Sequence, residues 1–297
     1  MADVEHARFQ EDQPSPPRDI KLQSRNFINL AAYALNVVIT YVSLTGVFGE
    51  NNSDLSKKYQ TLVTPSGWAF SIWGPIFIWE GVFVVIQMFP RFGGSEVVQL
   101  ASPWWWGACL CQCVWTFAFA QEVIPLSLLM MLGILACLTG LVVCTDGLQL
   151  TWAEYLGLRA PLCLHLGWII CASAVNANVQ FDAAKASPEV LLAVAVLSFA
   201  AIVAANVALV TTAANPDAVT SLVAAWAFAA VAAELGGGEN LRSRDRYNPH
   251  EWPTLVLAGL RGAATGAALG ASALAAVAVT LSALKGRRRG KRGQNRA

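Results

Sequence analysis

The sequence predicts an all-α, polytopic membrane protein of about eight transmembrane helices. Three observations carry this. The 297 residues are 56% hydrophobic and only 13% charged, about half the charge of an ordinary soluble domain. Mean hydropathy is +0.50, and several apolar runs reach the ~20 residues that cross a hydrocarbon core. The runs are continuous rather than alternating, so they are helices and not barrel strands.

Residues 1–25 hold Pro14, Pro16 and Pro17 among charges and no apolar run. They predict a disordered cytosolic arm rather than a cleaved signal. Spans then follow at 26–48, 68–89, 103–120, 123–144, 156–178, 189–212, 217–235 and 264–284. Between the first two, Asn51-Asn52-Ser53 fits the glycosylation acceptor pattern. Span 2 opens TPSGWAFSIWGPIFIWE: Pro65 and Gly67 end the loop, Ser66 is placed to cap the helix, and Pro75 is placed to kink it. Spans 3 and 4 are separated only by Gln121 and Glu122.

The last three spans differ from the first five. Nine of the 11 tryptophans lie between Trp68 and Trp168, whereas residues 189–284 are dominated by Ala, Val and Leu. The organisation predicted is a five-helix core over 26–181, three further helices over 189–284 and a basic tail over 285–297. In the last span Gly262, Gly266 and Gly270 recur every fourth residue, which predicts close helix packing inside the bundle or, alternatively, a homodimer face.

The tail KGRRRGKRGQNRA carries seven basic residues and no acidic one. With Arg8, Arg18, Lys21 and Arg25 it puts both termini in the cytosol and requires an even number of spans. Arg242, Arg244 and Arg246 in the connection 236–263 pull the other way. The tail is a topology signal and a candidate partner for anionic lipid headgroups. The seven cysteines all fall inside spans without a CxxC pair, and read as small buried residues rather than a metal site. No P-loop, GxGxxG, GxSxG or HExxH is present, and nothing suggests a nucleic-acid partner.

Polar side chains within spans mark cavities or helix ties. His165, Trp168, Ala172 and Asn176 share one face of span 5, and Gln112, Trp115 and Phe119 share one face of span 3. Trp73 and Glu80 share a face of span 2. Three helices that each present tryptophan with a polar group suggest an interior pocket for a flat, largely apolar ligand. Gln87 and Asn206 read as helix-to-helix ties. Glu80 is the isolated carboxylate; a tie to a neighbour such as His165 is one reading of it, and a proton-titrating Glu80 and His165 pair is another.

Four stretches give the chain its resemblance to a known family: TPSGWAFSIWGPIF, QCVWTFAF, PLSLLMMLGIL and LRAPLCLHLGWIICASAVNANVQF. In order and content they resemble helices 2 to 5 of the TspO/MBR proteins (tryptophan-rich sensory, translocator-protein-like), in a long form with extra C-terminal helices. The likeness covers about residues 26–181. It implies a five-helix membrane bundle, often dimeric, with a pocket closed by the loop between helices 1 and 2. It implies binding of porphyrin or haem-like tetrapyrroles in a sensory or transport role, with no required cofactor. Trp68, Phe70 and Trp73 would line the mouth, and Trp115, Phe119, Trp168, Ala172 and Asn176 the walls. The chain departs from the family at Gln112, where an Asn is usual, and at Phe181, where a sterol-binding pattern would need Tyr. A second match to that pattern, Leu150–Tyr155–Arg159, lies at the opposite end of the helix. The alternative function is a proton- or ion-coupled small-molecule transporter using Glu80 and His165.

Overall fold

The computed structural model describes residues 22–237 and 252–294. The arm up to residue 21, and Arg242, Arg244 and Arg246 in the last connection, lie outside the described residues, as do residues 295–297 of the tail. Among the described residues there is no strand, and eight long helices form: α1 (Ser24–Ser43), α2 (Trp73–Ile86), α3 (Glu96–Ala120), α4 (Ile124–Cys144), α5 (Ala160–Ala183), α6 (Pro188–Thr211), α7 (Ala218–Gly237) and α8 (Thr254–Gln294). A 3-10 turn, Gly67–Ile72, leads into α2, and a short helix, Asn52–Lys58, sits in the α1–α2 loop.

Seven of these helices are long and apolar enough to cross a membrane. The eighth, α3, carries Trp104, Trp105, Trp106 and Gln112, which lower its hydropathy. Its 25 residues still reach about 37 Å, and it lies antiparallel to α4 along that length. Cys111 packs on Gly133, Cys137 on Gly107 and Trp104 on Gly140, so the two helices traverse the same depth.

Element ends depart from the sequence-based bounds for local reasons. Span 3 starts at Glu96 rather than 103, because the Ser95 hydroxyl accepts from the Val98 N–H at 3.4 Å and Pro103 is absorbed inside the helix. Pro75 does not kink span 2: the change from 3-10 to α occurs at Trp73, and Pro75 sits in the first α turn, where its missing N–H costs least. Pro161 instead shapes α5. Its ring and absent donor disturb the preceding turn, and residues Tyr155–Arg159 widen into a π turn.

α5 is the axis of the bundle. In its most apolar stretch 78% of residues are buried, against 22% in α1 and 17% in α8. It packs on α4, α7, α6 and α2, while α1 rests on α3 and α2, and α8 on α7 and α6. The added helices therefore share one apolar core with the first five. α7 reaches α5 closely at Gly167, where a Cβ would lie 2.9 Å from Val223 Cβ and 3.1 Å from Thr220 Cα.

Two expected ties turn out differently. Gln87 does join helices: Asn29 Nδ2 donates to Gln87 Oε1 at 2.7 Å and to Ser102 Oγ at 2.9 Å, and Trp106 Nε1 donates to Asn29 Oδ1 at 2.7 Å. Asn206 does not, since its Nδ2 donates to Ile202 O of its own helix at 2.9 Å. The stripe Gly262, Gly266 and Gly270 faces open space rather than the bundle; α8 packs instead through Leu257, Leu260, Ala264 and Ala271.

The start of α1 and Lys285 of α8 lie at the end of the bundle that also carries the α4–α5 and α6–α7 connections. Lys285 Nζ donates to Ala213 O at 3.1 Å and Ala214 O at 2.9 Å in the α6–α7 loop. That loop also gives its Ala214 and Asn215 N–H groups to Asp146, beside α4. Asp146 in turn pairs with buried Arg159 at 3.4 Å. Tyr155 donates to Asp217 at 2.8 Å. Tyr155 and Arg159 are thus engaged in the protein, and the Leu150–Tyr155–Arg159 stretch does not offer them to lipid.

Gly167→Ala forces the α5–α7 backbones apart. It is expected to destabilise the protein by about 1–3 kcal/mol, read as a lowered thermal midpoint in detergent; an unchanged midpoint would show that α7 is not seated through this contact.

Candidate ligand-binding cavity under the first loop

The cavity lies between α2, α3 and α5, under the α1–α2 loop. One chamber, of about 70 Å³, includes Phe70, Trp73, Trp115, Phe119, Trp168, Ala172 and Asn176 in its lining. A second, of about 230 Å³, lies toward α1 and is lined by Thr40, Gln112 and Thr116 among others. Phe70, Trp73 and Trp115 border both chambers.

The periodicity of each helix puts these rings together. Trp115 and Phe119, four residues apart on α3, stack with centroids 5.2 Å apart and planes 13° apart. Trp168 on α5 meets Phe70 edge-on at 5.8 Å and Trp73 at 6.3 Å. Asn176, two turns further along α5, accepts from Trp115 Nε1 and from Ser127 Oγ, each at 3.3 Å. Its oxygen therefore holds α3, α4 and α5 in register at the cavity wall. Among the described residues, two buried polar atoms of the lining are left without a partner: Trp168 Nε1, on a residue 3% exposed, and Gln112 Oε1, on one 2% exposed. A buried unpartnered donor or acceptor is costly, and each is suited to a ligand's polar group.

Two sequence-chosen residues lie elsewhere. Trp68 is 47% exposed and lies edge-on to Trp226 of α7 at 4.7 Å, outside the lining. Its place in the 3-10 turn directs it away from the cavity. His165 lies under the cavity floor, edge-on to Trp73 at 5.8 Å. Its Nδ1 is 2.6 Å from Glu80 Oε1, and both residues are fully enclosed. Glu80 Oε2 and His165 Nε2 have no other hydrogen-bond partner among the described residues.

The sequence reading missed three parts of the wall. Phe199 and Ile202 of α6, Phe228 and Val231 of α7, and Asn52, Ser56 and Tyr59 of the α1–α2 loop all line the first chamber. Phe199 and Phe228 meet edge-on at 5.3 Å. The signal available was the isolated ring: Phe199 is the single aromatic residue of an α6 made mostly of aliphatic and small residues.

The loop over the cavity is tied at both flanks. On the α3–α4 turn, Glu122 accepts from Lys58 Nζ at 2.6 Å and from Tyr59 OH at 2.5 Å. Gln121 donates to Phe48 O, and Glu50 N–H donates to Ala120 O at 3.2 Å. Gly49 is obligatory here: its φ is +134°, and a Cβ would sit 2.2 Å from Ala120 O. Asn51, the candidate glycosylation residue, caps the loop helix, accepting from Asp54 N–H at 3.1 Å and donating to Asp54 Oδ2 at 2.6 Å. Ser66 does not cap with its side chain; its hydroxyl crosses to α7 and donates to Glu234 Oε2 at 2.8 Å.

The hydrogen bonds from Lys58 and Tyr59 hold the Glu122 carboxyl below its ordinary value of 4.5. Burial and the bond to Glu122 push the Tyr59 hydroxyl up to about 12. Glu122 thus stabilises the closed loop fully above about pH 4.5, and this contribution is lost as pH falls through its lower folded value. Tyr59 contributes below its ordinary value of 10 and ceases to as pH rises through about 12.

The model of the TSPO-like protein family matches residues 26–248. The match runs through α7, well beyond the 26–181 over which the four stretches trace the resemblance. No curated protein and no solved structure matches the chain.

Amide exchange in residues 50–60, corrected for intrinsic rate, is expected to accelerate as pH falls below the ordinary Glu122 value of 4.5. Glu122→Gln should remove most of that acid step; an identical profile in the variant would rule out the Glu122 latch.

Proposed function

Because the chain belongs to the TSPO-like protein family, we propose that its aromatic cavity binds a flat, largely apolar, porphyrin-like tetrapyrrole. Membership makes it a multi-pass membrane protein of ligand-binding or transport type. The observation that carries the finer reading is the wall itself: Phe70, Trp73, Trp115 and Trp168 present ring faces and edges around one space, and Trp168 Nε1 has no partner among the described residues. Broad indole surfaces suit a planar conjugated ligand, and a few fixed polar groups orient it. No ionised side chain belongs to either chamber's lining, so the enclosed part of the ligand is uncharged and its acidic groups would point to the loop.

A second reading, proton- or ion-coupled transport, rests on the enclosed Glu80–His165 pair at 2.6 Å beneath Trp73. A carboxylate and an imidazole sharing a proton inside a bundle are the parts a coupled carrier needs.

Protoporphyrin titrated into the purified protein is expected to quench tryptophan fluorescence saturably. Trp168→Phe should weaken binding several-fold through loss of its indole N–H. Asn176→Ala should do so further, since it strands the Trp115 donor and removes a polar group from the wall. Absence of quenching at micromolar ligand would end this reading. For the second reading, Glu80→Gln should abolish the pH dependence of ligand uptake into vesicles; a retained pH profile would exclude the pair as the coupling site.

A further inference from the structure

We propose that α7 is the clamp of the cavity's lid, with Glu234 as the positioning residue that holds the α1–α2 loop closed. The proposal rests on the binding function above for its consequence, though not for its geometry.

Three residues of α7 spaced by four, Trp226, Ala230 and Glu234, lie along one stripe of the helix and meet the loop in sequence. Glu234 Oε1 accepts from Gln60 Nε2 at 2.7 Å and Oε2 accepts from Ser66 Oγ at 2.8 Å. One turn deeper, Ala230 O accepts from the Ser66 backbone N–H at 3.1 Å. Ala230 is fully buried, and its small side chain lets the loop backbone reach a helix carbonyl. Another turn deeper, Trp226 Nε1 donates to Ala69 O at 3.1 Å, and its ring lies against Trp68. The loop is thus fastened from residue 60 to residue 69 by one face of one helix.

That face belongs to a helix beyond the five to which the sequence resemblance extends. The adjacent face of α7 carries Ala227, Phe228 and Val231 into the cavity wall. One helix therefore both completes the cavity and fastens its cover. Glu122 grips the other flank of the loop through Lys58 and Tyr59, so the cover is held between two carboxylates. A ligand entering under the loop must break one set. The Glu234 set is the closer to the 3-10 turn that carries Phe70 into the cavity, so its release opens the cover beside the cavity mouth. Both bonds to Glu234 are charge-assisted, and such bonds are the stronger class.

The consequence is kinetic. Opening the clamp changes how fast a ligand passes more than how tightly it sits, because Glu234 lies outside the lining. The test uses the full chain in lipid nanodiscs with stopped-flow tryptophan quenching by protoporphyrin. In parallel, trypsin cleavage after Lys57 is followed without ligand. Glu234→Ala is expected to raise both association and dissociation rates about tenfold, to leave their ratio within about threefold, and to speed cleavage. Ser66→Ala should give a smaller rise, and the double variant no more than Glu234→Ala alone, since Glu234→Ala already removes the Ser66 bond together with that from Gln60. Should Glu234→Ala not fold, Ser66→Ala and Gln60→Ala on the loop carry the same comparison. Unchanged rates and unchanged cleavage in folded variants would overturn the clamp. If protoporphyrin fails to quench the parent protein, the binding function fails, while the cleavage comparison still decides the clamp.

Discussion

The packing of α5 at the centre of the bundle is the constraint on which the remaining structure depends. Lipid offers helices no hydrophobic incentive to associate, so they hold together by close fit and by polar contacts. α5 meets both demands. Gly167 admits α7 to near backbone contact, and Asn176 accepts from α3 and α4 side chains. The widened turn before Pro161 carries Arg159 inward to Asp146. With α5 fixed in this way, its remaining face, Trp168 and Ala172, becomes one wall of a cavity.

Polar groups are placed at three depths, each with a different consequence. At the end bearing the α4–α5 and α6–α7 connections, Arg159, Asp146, Tyr155 and Asp217 cross-link loops. Removing one partner of such an enclosed pair is costly, on the order of 3–5 kcal/mol. At mid-depth, Glu80 and His165 share a contact that no other described group completes. At the lid end, Glu122 and Glu234 face outward and take hydrogen bonds from a single loop. The mid-depth pair is fully enclosed, whereas the lid carboxylates are partly exposed.

The division between five helices and three, so plain in composition, is not a division in packing. The alanine-rich helices α6 and α7 supply Phe199, Ile202, Phe228 and Val231 to the cavity. Of the three added helices only α8 behaves as an outer one, with Gly262, Gly266 and Gly270 turned away from the bundle. The family match running through α7 to residue 248 accords with this grouping.

By itself the sequence determined the helical class, the eight apolar runs and the residues that share a helix face. These follow from local quantities: hydropathy over about 20 residues and a 3.6-residue period. The same period placed Trp115 with Phe119 and Trp168 with Ala172 and Asn176. Only the tertiary structure decided that Trp68 faces α7, that His165 lies below the cavity beside Glu80, that the glycine stripe of α8 looks outward, and that Ser66 serves Glu234 rather than its own helix. Each of those outcomes is a choice of neighbour. A helical period says which side chains point the same way; which helix stands in front of them is settled by how eight helices pack together around α5.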